Sequence, residues 1–198
     1  MKLSKGWIIS IVIVLFIILL ISWGSRIYNN LVKKEEAVNQ QWANVENVYQ
    51  RRSDLIPNLV ATVKGVANFE QSTLTAVIEA RAKATSVSIN PKNLDEASLQ
   101  KFQEAQNGLS SALARLMVVV EKYPELKATQ NFMELQAQLE GTENRITVER
   151  RTFNESAQAY NTYMRGFPAN IFARLYGFQK KAYFEAEAGA EKAPKVEF

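Results

Sequence analysis

The sequence predicts an all-α membrane protein with an N-terminal single transmembrane helix followed by an antiparallel up-down four-helix bundle, a C-terminal short helix and an extended tail. Three observations support this fold class. The run from Trp7 to Trp23 is uncharged and almost wholly apolar. Four later segments place apolar residues in alternating steps of three and four, as in helices packed side by side. The connections between these segments are short, which favours antiparallel neighbours.

The first element is a transmembrane anchor over residues 7–24, preceded by a short flank over residues 1–6. A helix rises about 1.5 Å per residue, so Trp7 and Trp23 lie about 24 Å apart, and one further residue or two at each end completes a span of about 30 Å. Trp7 and Trp23 mark the edges of the anchor, where interfacial aromatic residues belong. The alternative is a cleaved signal peptide, with Lys2 and Lys5 as its basic region. We expect an uncleaved anchor because the apolar run is long for a signal peptide.

The orientation of the anchor depends on the basic residues beside it. Lys2 and Lys5 precede the span, and Arg26, Lys33 and Lys34 follow it. The positive-inside rule counts such residues in short flanks. The count slightly favours an external N-terminus and a cytoplasmic bundle. Lys2 and Lys5, taken as the basic region of a signal-like segment, favour a cytoplasmic N-terminus instead.

The bundle is predicted over residues 25–166. Its helices are expected at about 25–53, 57–85, 94–122 and 130–165. The fourth helix has the clearest repeat, with an aromatic or aliphatic residue at every seventh position: Phe132, Leu139, Ile146, Phe153, Tyr160 and Phe167.

Prolines mark the predicted helix ends. Pro57 is expected to begin the second helix after a reversal, because the residue before a proline is pushed out of the α region. The alternative is a kinked continuation, which would give one very long helix and a dimeric coiled coil. Pro91 and Pro124 mark the next two turns, and Asn93 with Glu96 forms a variant capping box.

The C-terminal region, residues 167–198, changes character. The stretch from Pro168 to Gly177 predicts a short helix closed by glycine. The tail beyond it is expected to be extended and docked on the bundle, with a disordered end as the alternative. An aromatic cluster here is either a satellite core or an exposed protein-binding surface; its members are Phe167, Phe172, Tyr176, Phe178, Tyr183 and Phe184.

Composition narrows the possible chemistry. The chain has no cysteine and no histidine, which removes disulfides, thiolate zinc sites and the usual nucleophile–base systems. A net charge of +4 is spread over mixed signs, without the basic stripe expected for nucleic-acid binding. We therefore expect no cofactor and no enzymatic activity; a hydrolase using Glu, Lys or Ser is the alternative.

Charged residues at apolar positions of the helix seams are the first candidate site: Glu35, Arg52, Glu70, Arg81 and Glu149. A buried charge is costly unless it is paired. We expect a buried polar network of Glu–Arg pairs that fixes the register between helices. The alternatives are a polar groove for a charged segment of a partner and a carboxylate metal site, against which the neighbouring arginines argue.

The predicted turn near Pro57 is the second candidate, as an interaction motif of Arg51, Arg52, Asp54, Pro57 and Asn58. If the first helix continues from the anchor, this motif lies about 45 Å from the membrane. At that height a basic pair meets a soluble partner rather than the head groups of its own bilayer.

Several runs of residues resemble the LemA family. They are ENVYQRRSDLIPNLVATVKG at 46–65, Ala80-Arg81-Ala82, LEGTENRI at 139–146, ERRTFN at 149–154, Tyr160-Asn161, Phe167-Pro168, Gly177-Phe178 and YFEA at 183–186. The resemblance implies a bacterial membrane protein with a helical-bundle domain and the N-terminus outside the cell. It implies no catalytic residue. One departure is Val66-Ala67-Asn68-Phe69-Glu70, where the family commonly has an aromatic residue followed by histidine.

Together these observations predict a single-pass protein of the bacterial cell (inner) membrane. The N-terminal helix is expected to contact the lipid bilayer. The bundle is expected to act as a protein-interaction or scaffold module that binds unidentified membrane or envelope proteins. The alternative is a homo-oligomeric structural coiled-coil protein of the cell envelope. The anchor has no small-xxx-small pattern, so self-association through it is not indicated.

Overall fold

The computed structural model describes residues 5–65 and 69–185. Helices are the only regular secondary structure in these ranges, and the all-α fold class predicted from the sequence is confirmed. The predicted flank before Lys5 and the tail from Ala186 to Phe198 lie outside the described residues, as does Val66-Ala67-Asn68.

The first helix, α1, runs without interruption over Lys5–Lys64. Its N-terminal part is long enough and apolar enough to cross a membrane, with a mean hydropathy of 2.8. The rest of the chain does not bury this part. Its C-terminal part carries a buried stripe that includes Leu31, Val38 and Trp42. One continuous helix therefore joins the candidate span to the core of the bundle.

The prediction that the first helix ends before Pro57 was wrong, because Pro57 lies inside α1. The second helix, α2, covers Gln71–Ser86 and is correspondingly shorter than predicted. A 3-10 turn at Pro91–Asn93 precedes α3, Glu96–Val120. The N-cap of α3 is Asp95, whose carboxylate accepts a hydrogen bond from the Ser98 N–H at 2.8 Å, rather than the predicted Asn93.

The remaining helices follow the sequence pattern closely. A single turn, α4, covers Pro124–Lys127, and α5 covers Gln130–Arg165, the predicted bounds of the fourth helix. The short helix α6, Ala169–Tyr176, ends at Gly177, whose φ of 76° is the left-handed cap conformation that glycine adopts without strain.

The contacts between helices give their directions. The ring of Trp42 lies 5.7 Å from that of Phe153, and Arg52 contacts Glu143, so α1 and α5 run antiparallel. Trp42 also packs on Phe102 while Arg52 reaches Gln106, so α1 and α3 run parallel. Because α2 returns from the far end of α1 and its Ala84 contacts Gln106, the four long helices alternate in direction.

Candidate functional site

The centre of the bundle holds a buried guanidinium group. Arg52 of α1 is only 1% exposed. Its Nη1 donates to the Glu143 carboxylate at 2.8 Å and to the Ser110 hydroxyl at 2.9 Å. Its Nη2 donates to the side-chain oxygen of Gln106 at 2.7 Å, and its guanidinium lies 5.0 Å from the centre of the Tyr49 ring. One side chain on α1 therefore holds α3 and α5 in register.

Gln106 extends this network to the remaining long helix. Its side chain is buried, and its amide N–H donates to the carbonyl of Ala84, near the end of α2, at 3.2 Å. Arg52 and Gln106 together connect all four long helices through hydrogen bonds. Such a chain of bonds specifies one register, because a shift of any helix leaves a buried polar group unpaired.

Pro57 also acquires a partner in the tertiary structure. A proline inside a helix lacks the N–H that would pair with the carbonyl four residues earlier, here that of Ser53. The Nε of Arg81, on α2, donates to this Ser53 carbonyl at 2.8 Å. The freed acceptor is thus satisfied by another helix, which explains how α1 continues through a proline.

A cleft opens beside this network between α1 and the end of α2. Its volume is about 150 Å³, and Glu46, Ser53, Thr85 and Gln106 are among the residues that line it. Small-molecule sites usually occupy about 300–1,000 Å³, so a cleft of this size fits a single side chain better than a cofactor. Burial raises the pKa of the Glu46 carboxyl, and the nearby Trp42 indole N–H opposes part of this rise.

The side chains that line this cleft suit the binding of a ligand group better than catalysis. The Ser53 hydroxyl is buried and has no hydrogen-bond partner in the described part of the chain, so no described base activates it as a nucleophile. Among residues 5–65 and 69–185, no cluster of three or more Asp or Glu side chains is placed to hold a metal ion. The cleft offers a carboxylate, a hydroxyl and amide oxygens to a cationic or hydrogen-bonding group.

The five charged residues predicted to form one network are dispersed in the structure. Glu35 pairs with Lys181 of the tail at 3.0 Å, a partner that the helix pattern did not predict. Glu149, which is half-buried, pairs with the exposed Arg145 one turn away on the same helix. Glu70 is exposed and accepts from Ser72 beside it. Only Arg52 and Arg81 of this set serve the central contacts, and their partners are Glu143, Gln106 and a backbone carbonyl.

The predicted turn motif lies on a helix rather than in a turn. Arg51, Asp54, Pro57 and Asn58 are exposed on the outer side of α1, while Arg52 faces the core. Asp54 accepts a hydrogen bond from Gln50 at 2.8 Å, one turn earlier. The reversal comes after Lys64, so the end of the bundle lies farther from the anchor than the turn motif does.

The extended tail docks on α5 through two asparagines. The Asn154 side chain accepts from the Phe184 N–H and donates to the Phe184 carbonyl, both at 2.9 Å. Asn161 makes the same pair of bonds with Lys181, at 3.0 and 2.8 Å. Asn154 and Asn161 are seven residues apart in α5, and Lys181 and Phe184 are three residues apart in the extended tail. Both separations are about 10 Å, so each asparagine lies opposite its own tail residue.

Further contacts bury the docked tail. The Tyr160 hydroxyl donates to the Gln179 carbonyl at 3.0 Å; burial and the nearby Glu35 carboxylate raise the pKa of Tyr160, which keeps the donor protonated. Phe184 is 5% exposed and stacks on Trp42. The described part of the tail, to Glu185, is therefore extended, and its Lys181 and Phe184 side chains are buried.

The C-terminal aromatic cluster divides into two groups in the structure. Phe184 belongs to the bundle core, and Phe172 and Phe178 are half-buried against the base of α1. Phe167 and Tyr176 are exposed, at 82% and 58%, and Tyr183 is at 37%. The cluster is thus neither one satellite core nor one exposed patch.

Comparison with known families agrees with this arrangement. The LemA family model matches residues 41–198. The chain belongs to the LemA family. The runs that resemble the family supply five residues of the central and tail contacts: Arg52, Arg81, Glu143, Asn154 and Asn161. Gln106 and Ser110 lie outside these runs.

Three relatives show the range of this LemA-family similarity. Magnetosome protein MamQ of Magnetospirillum gryphiswaldense is 28% identical over 180 residues, covering 82% of this chain and 66% of the relative. Magnetosome protein MamQ 1 of Paramagnetospirillum magneticum is 26% identical over 181 residues, with coverage of 83% and 66%. Protein LemA of Metamycoplasma hominis is 23% identical over 177 residues, with coverage of 87% and 77%. The chain thus spans just under two thirds of the length of these magnetosome proteins, and it is a membrane-associated protein of the LemA type.

Proposed function

We propose that this chain is a single-pass protein of the bacterial cell (inner) membrane whose bundle binds another membrane or envelope protein as a scaffold. The observation that carries the proposal is the continuity of α1. The same helix has an exposed apolar surface from Trp7 to Trp23 and the buried stripe of the bundle from Ile27 onward. A rigid link of this kind holds a binding surface at a set height above the bilayer.

The proposed binding surface is the cleft beside Glu46. It is too small for most cofactors and wide enough for one side chain. Its carboxylate favours a lysine or arginine of the partner, since a cation close to a partly buried carboxylate offsets the cost of its burial. The proposal therefore names a basic side chain as the group that enters the cleft and does not assign catalysis to the chain.

The proposed orientation places the bundle in the cytoplasm and the N-terminus outside. Arg26, Lys33 and Lys34 follow the span, and the two exposed residues of this group, Arg26 and Lys33, lie near the bilayer on the bundle side. Protease added to intact spheroplasts tests this point. The bundle should stay intact until the membrane is opened; cleavage in intact spheroplasts would overturn the cytoplasmic orientation.

Site-specific photocrosslinking in native membranes tests the binding function. A photoreactive residue at Thr85, on the rim of the cleft, should capture a defined protein, and the same residue at Glu140, exposed on α5, should not. Glu46→Gln should reduce the capture at Thr85 several-fold, because it removes the charge that attracts the partner. Equal capture at both positions, or capture unaffected by Glu46→Gln, would contradict the proposal. Capture of a second copy of the chain instead would favour the homo-oligomeric alternative.

A further inference from the structure

The short helix α6 exposes an apolar face. Phe167, Ile171 and Leu175 are spaced four residues apart and are 82%, 57% and 73% exposed. The opposite side of α6, with Ala169 and Ala173, is buried against α1. Ile171 and Leu175 lie four residues apart within α6, so they form one apolar strip on one side of this helix. Phe167 precedes α6 and adds an exposed apolar ring just before its first turn.

This strip lies at the end of the candidate span. The ring of Phe172, on α6, lies 6.2 Å from that of Trp23, and the ring of Tyr176 lies 4.8 Å from that of Tyr28. Gly24 permits this approach, because a Cβ on it would lie only 3.1 Å from the Phe172 ring. The helix α6 is therefore level with the bilayer edge marked by Trp23.

A groove between α6 and α1 extends this contact into the span. Leu20 and Ile21 of α1 line it together with Phe172 and Tyr176 of α6, and its volume is about 540 Å³. Leu20 and Ile21 precede Trp23 and belong to the apolar run. Ser25 and Asn29 line the upper part of the groove, so its apolar surface joins the span to α6 on the side of Leu20 and Ile21.

The charges around α6 complement an anionic lipid surface. Arg165, Arg174 and Lys180 are exposed on this part of the chain. No acidic residue occurs between Gly166 and Lys181. An amphipathic helix with basic residues beside an apolar strip is typical of an element that lies in the membrane interface.

We infer that α6, together with Phe167, lies in the interfacial layer of the bilayer as a second membrane contact beside the span. Phe167, Ile171 and Leu175 enter the boundary between head groups and acyl chains, and the arginines meet anionic head groups. A helix of eight residues binds lipid weakly alone, but its tether to the span keeps it at a high effective concentration at the surface. Two contacts with the bilayer, one of them off the axis of α1, restrict the tilt of the bundle relative to the membrane, because tilting would lift α6 out of the interface or push it deeper. The inference rests on the proposed membrane anchor.

Depth-dependent quenching of a single probe tests this contact in the full chain. The sequence has no cysteine, so Ile171→Cys gives a single labelling site for the fluorophore NBD. The control is Val118→Cys, which is 69% exposed in the native chain and lies near the far end of α3. The labelled protein is placed in vesicles of phosphatidylcholine and phosphatidylglycerol that carry doxyl quenchers shallow in the acyl chain. We expect blue-shifted emission and several-fold stronger quenching at position 171 than at position 118.

The outcomes separate the failure of this inference from the failure of the anchor. A probe at Leu15→Cys, in the middle of the span, reports insertion independently in vesicles whose doxyl quenchers lie deep in the acyl chain. If the probe at position 15 is quenched but the probe at position 171 emits like the probe at position 118, the interfacial position of α6 is wrong and the anchor stands. Blue-shifted emission at 171 without quenching by lipid would also overturn it, because another protein surface then covers the strip. Lack of quenching at position 15 would overturn both. Far-ultraviolet circular dichroism confirms that each variant is folded.

Discussion

At the scale of single residues, Arg52 shows how a charge can occupy the core of a bundle. Its fork of donors reaches Glu143, Ser110 and Gln106 at once, and Glu143 remains half exposed to water. A planar guanidinium suits this role better than a lysine ammonium, because its donors point in fixed directions. The residue is structural, and it sets the shape of the cleft beside it.

Replacement of Arg52 tests this structural role. Arg52→Ala should lower the free energy of unfolding of the bundle by about 2–4 kcal/mol, because it leaves a cavity and removes a donor from buried Gln106. The control is Arg51→Ala, an exposed arginine on the same helix, with an expected change within about 0.5 kcal/mol. Urea unfolding followed by circular dichroism measures both. Equal effects would contradict the central role of Arg52.

Glu46 gives a pH dependence whose sign follows from its burial. Burial raises the pKa of Glu46 in the folded state, so ionisation of this carboxyl opposes folding. This cost is present above the folded-state pKa and vanishes below the unfolded-state pKa of about 4.3. Glu46→Gln should therefore be more stable than the native chain at pH 7, and the difference should shrink as the pH falls toward 4. Urea titrations at several pH values measure it, with Glu79→Gln, an exposed carboxylate of α2, as the control. A difference that grows on acidification would contradict this assignment.

At the scale of elements, the length of α1 depends on a contact from another helix. Pro57 leaves the Ser53 carbonyl without its helical donor, and Arg81 supplies a replacement. A helix that loses one bond can continue when its neighbours are held by packing, and Ile56, Leu59 and Val63 are all buried. The proline therefore marks a point where α2 must contact α1.

A double-mutant cycle tests the link between Pro57 and Arg81. Arg81→Ala should cost about 1–3 kcal/mol in the native chain, because a part-buried carbonyl loses its donor. In a Pro57→Ala background the new N–H pairs with the Ser53 carbonyl, so the cost of Arg81→Ala should fall by about 1 kcal/mol or more. Thermal unfolding of the four proteins gives the coupling. Additive effects would show that Arg81 does not replace the missing bond.

The tail is the second element whose position depends on distant side chains. Asn154→Ala removes both hydrogen bonds to Phe184 and should speed amide exchange in the tail about tenfold, corresponding to a loss of about 1.4 kcal/mol. Gln158→Ala, an exposed position one turn along α5, is the control and should leave the exchange unchanged. Hydrogen–deuterium exchange of the peptide from Gln179 to Glu185 measures the effect. Unchanged exchange in Asn154→Ala would mean that aromatic packing alone holds the tail.

At the scale of the whole molecule, α1 sets the height of the bundle. The predicted turn near Pro57 would have placed the reversal about 45 Å from the membrane, whereas continuation to Lys64 places it about 60 Å from Trp23. The bundle is therefore a tall column with α6 at its base, the tail along its lower half as far as Trp42, and the start of α2 at its top. Its side faces, rather than a tip loop near Arg51, carry the cleft.

Energy transfer to acceptors in the bilayer checks this upright arrangement. A donor at Met133→Cys, at the start of α5, should show little transfer, and one at Asn30→Cys, close to the anchor, should show strong transfer. The acceptor is chosen so that its transfer distance is well below the expected height of about 60 Å. Similar transfer from both positions would mean that the bundle lies along the membrane.

The sequence by itself determined the features that depend on local pattern. Hydrophobicity alone marks the candidate span, the seven-residue repeat matches the observed α5, and Gly177 ends α6 as expected. A local signal for the long α1 was also present. Its buried positions keep the alternating steps of four and three past the proline, through Val45, Tyr49, Arg52, Ile56, Leu59 and Val63. The prediction gave Pro57 more weight than this unbroken repeat.

Only the tertiary structure decided which polar groups meet. Arg52 and Glu143 are 91 positions apart in the chain, and Lys181 and Pro91 are 90 apart. Periodicity identifies which side of a helix is buried, but not which residue of another helix lies opposite a charge. That choice depends on the axial register of packed helices and on where the tail docks, and both are set by side-chain volumes and hydrogen bonds summed over the whole core.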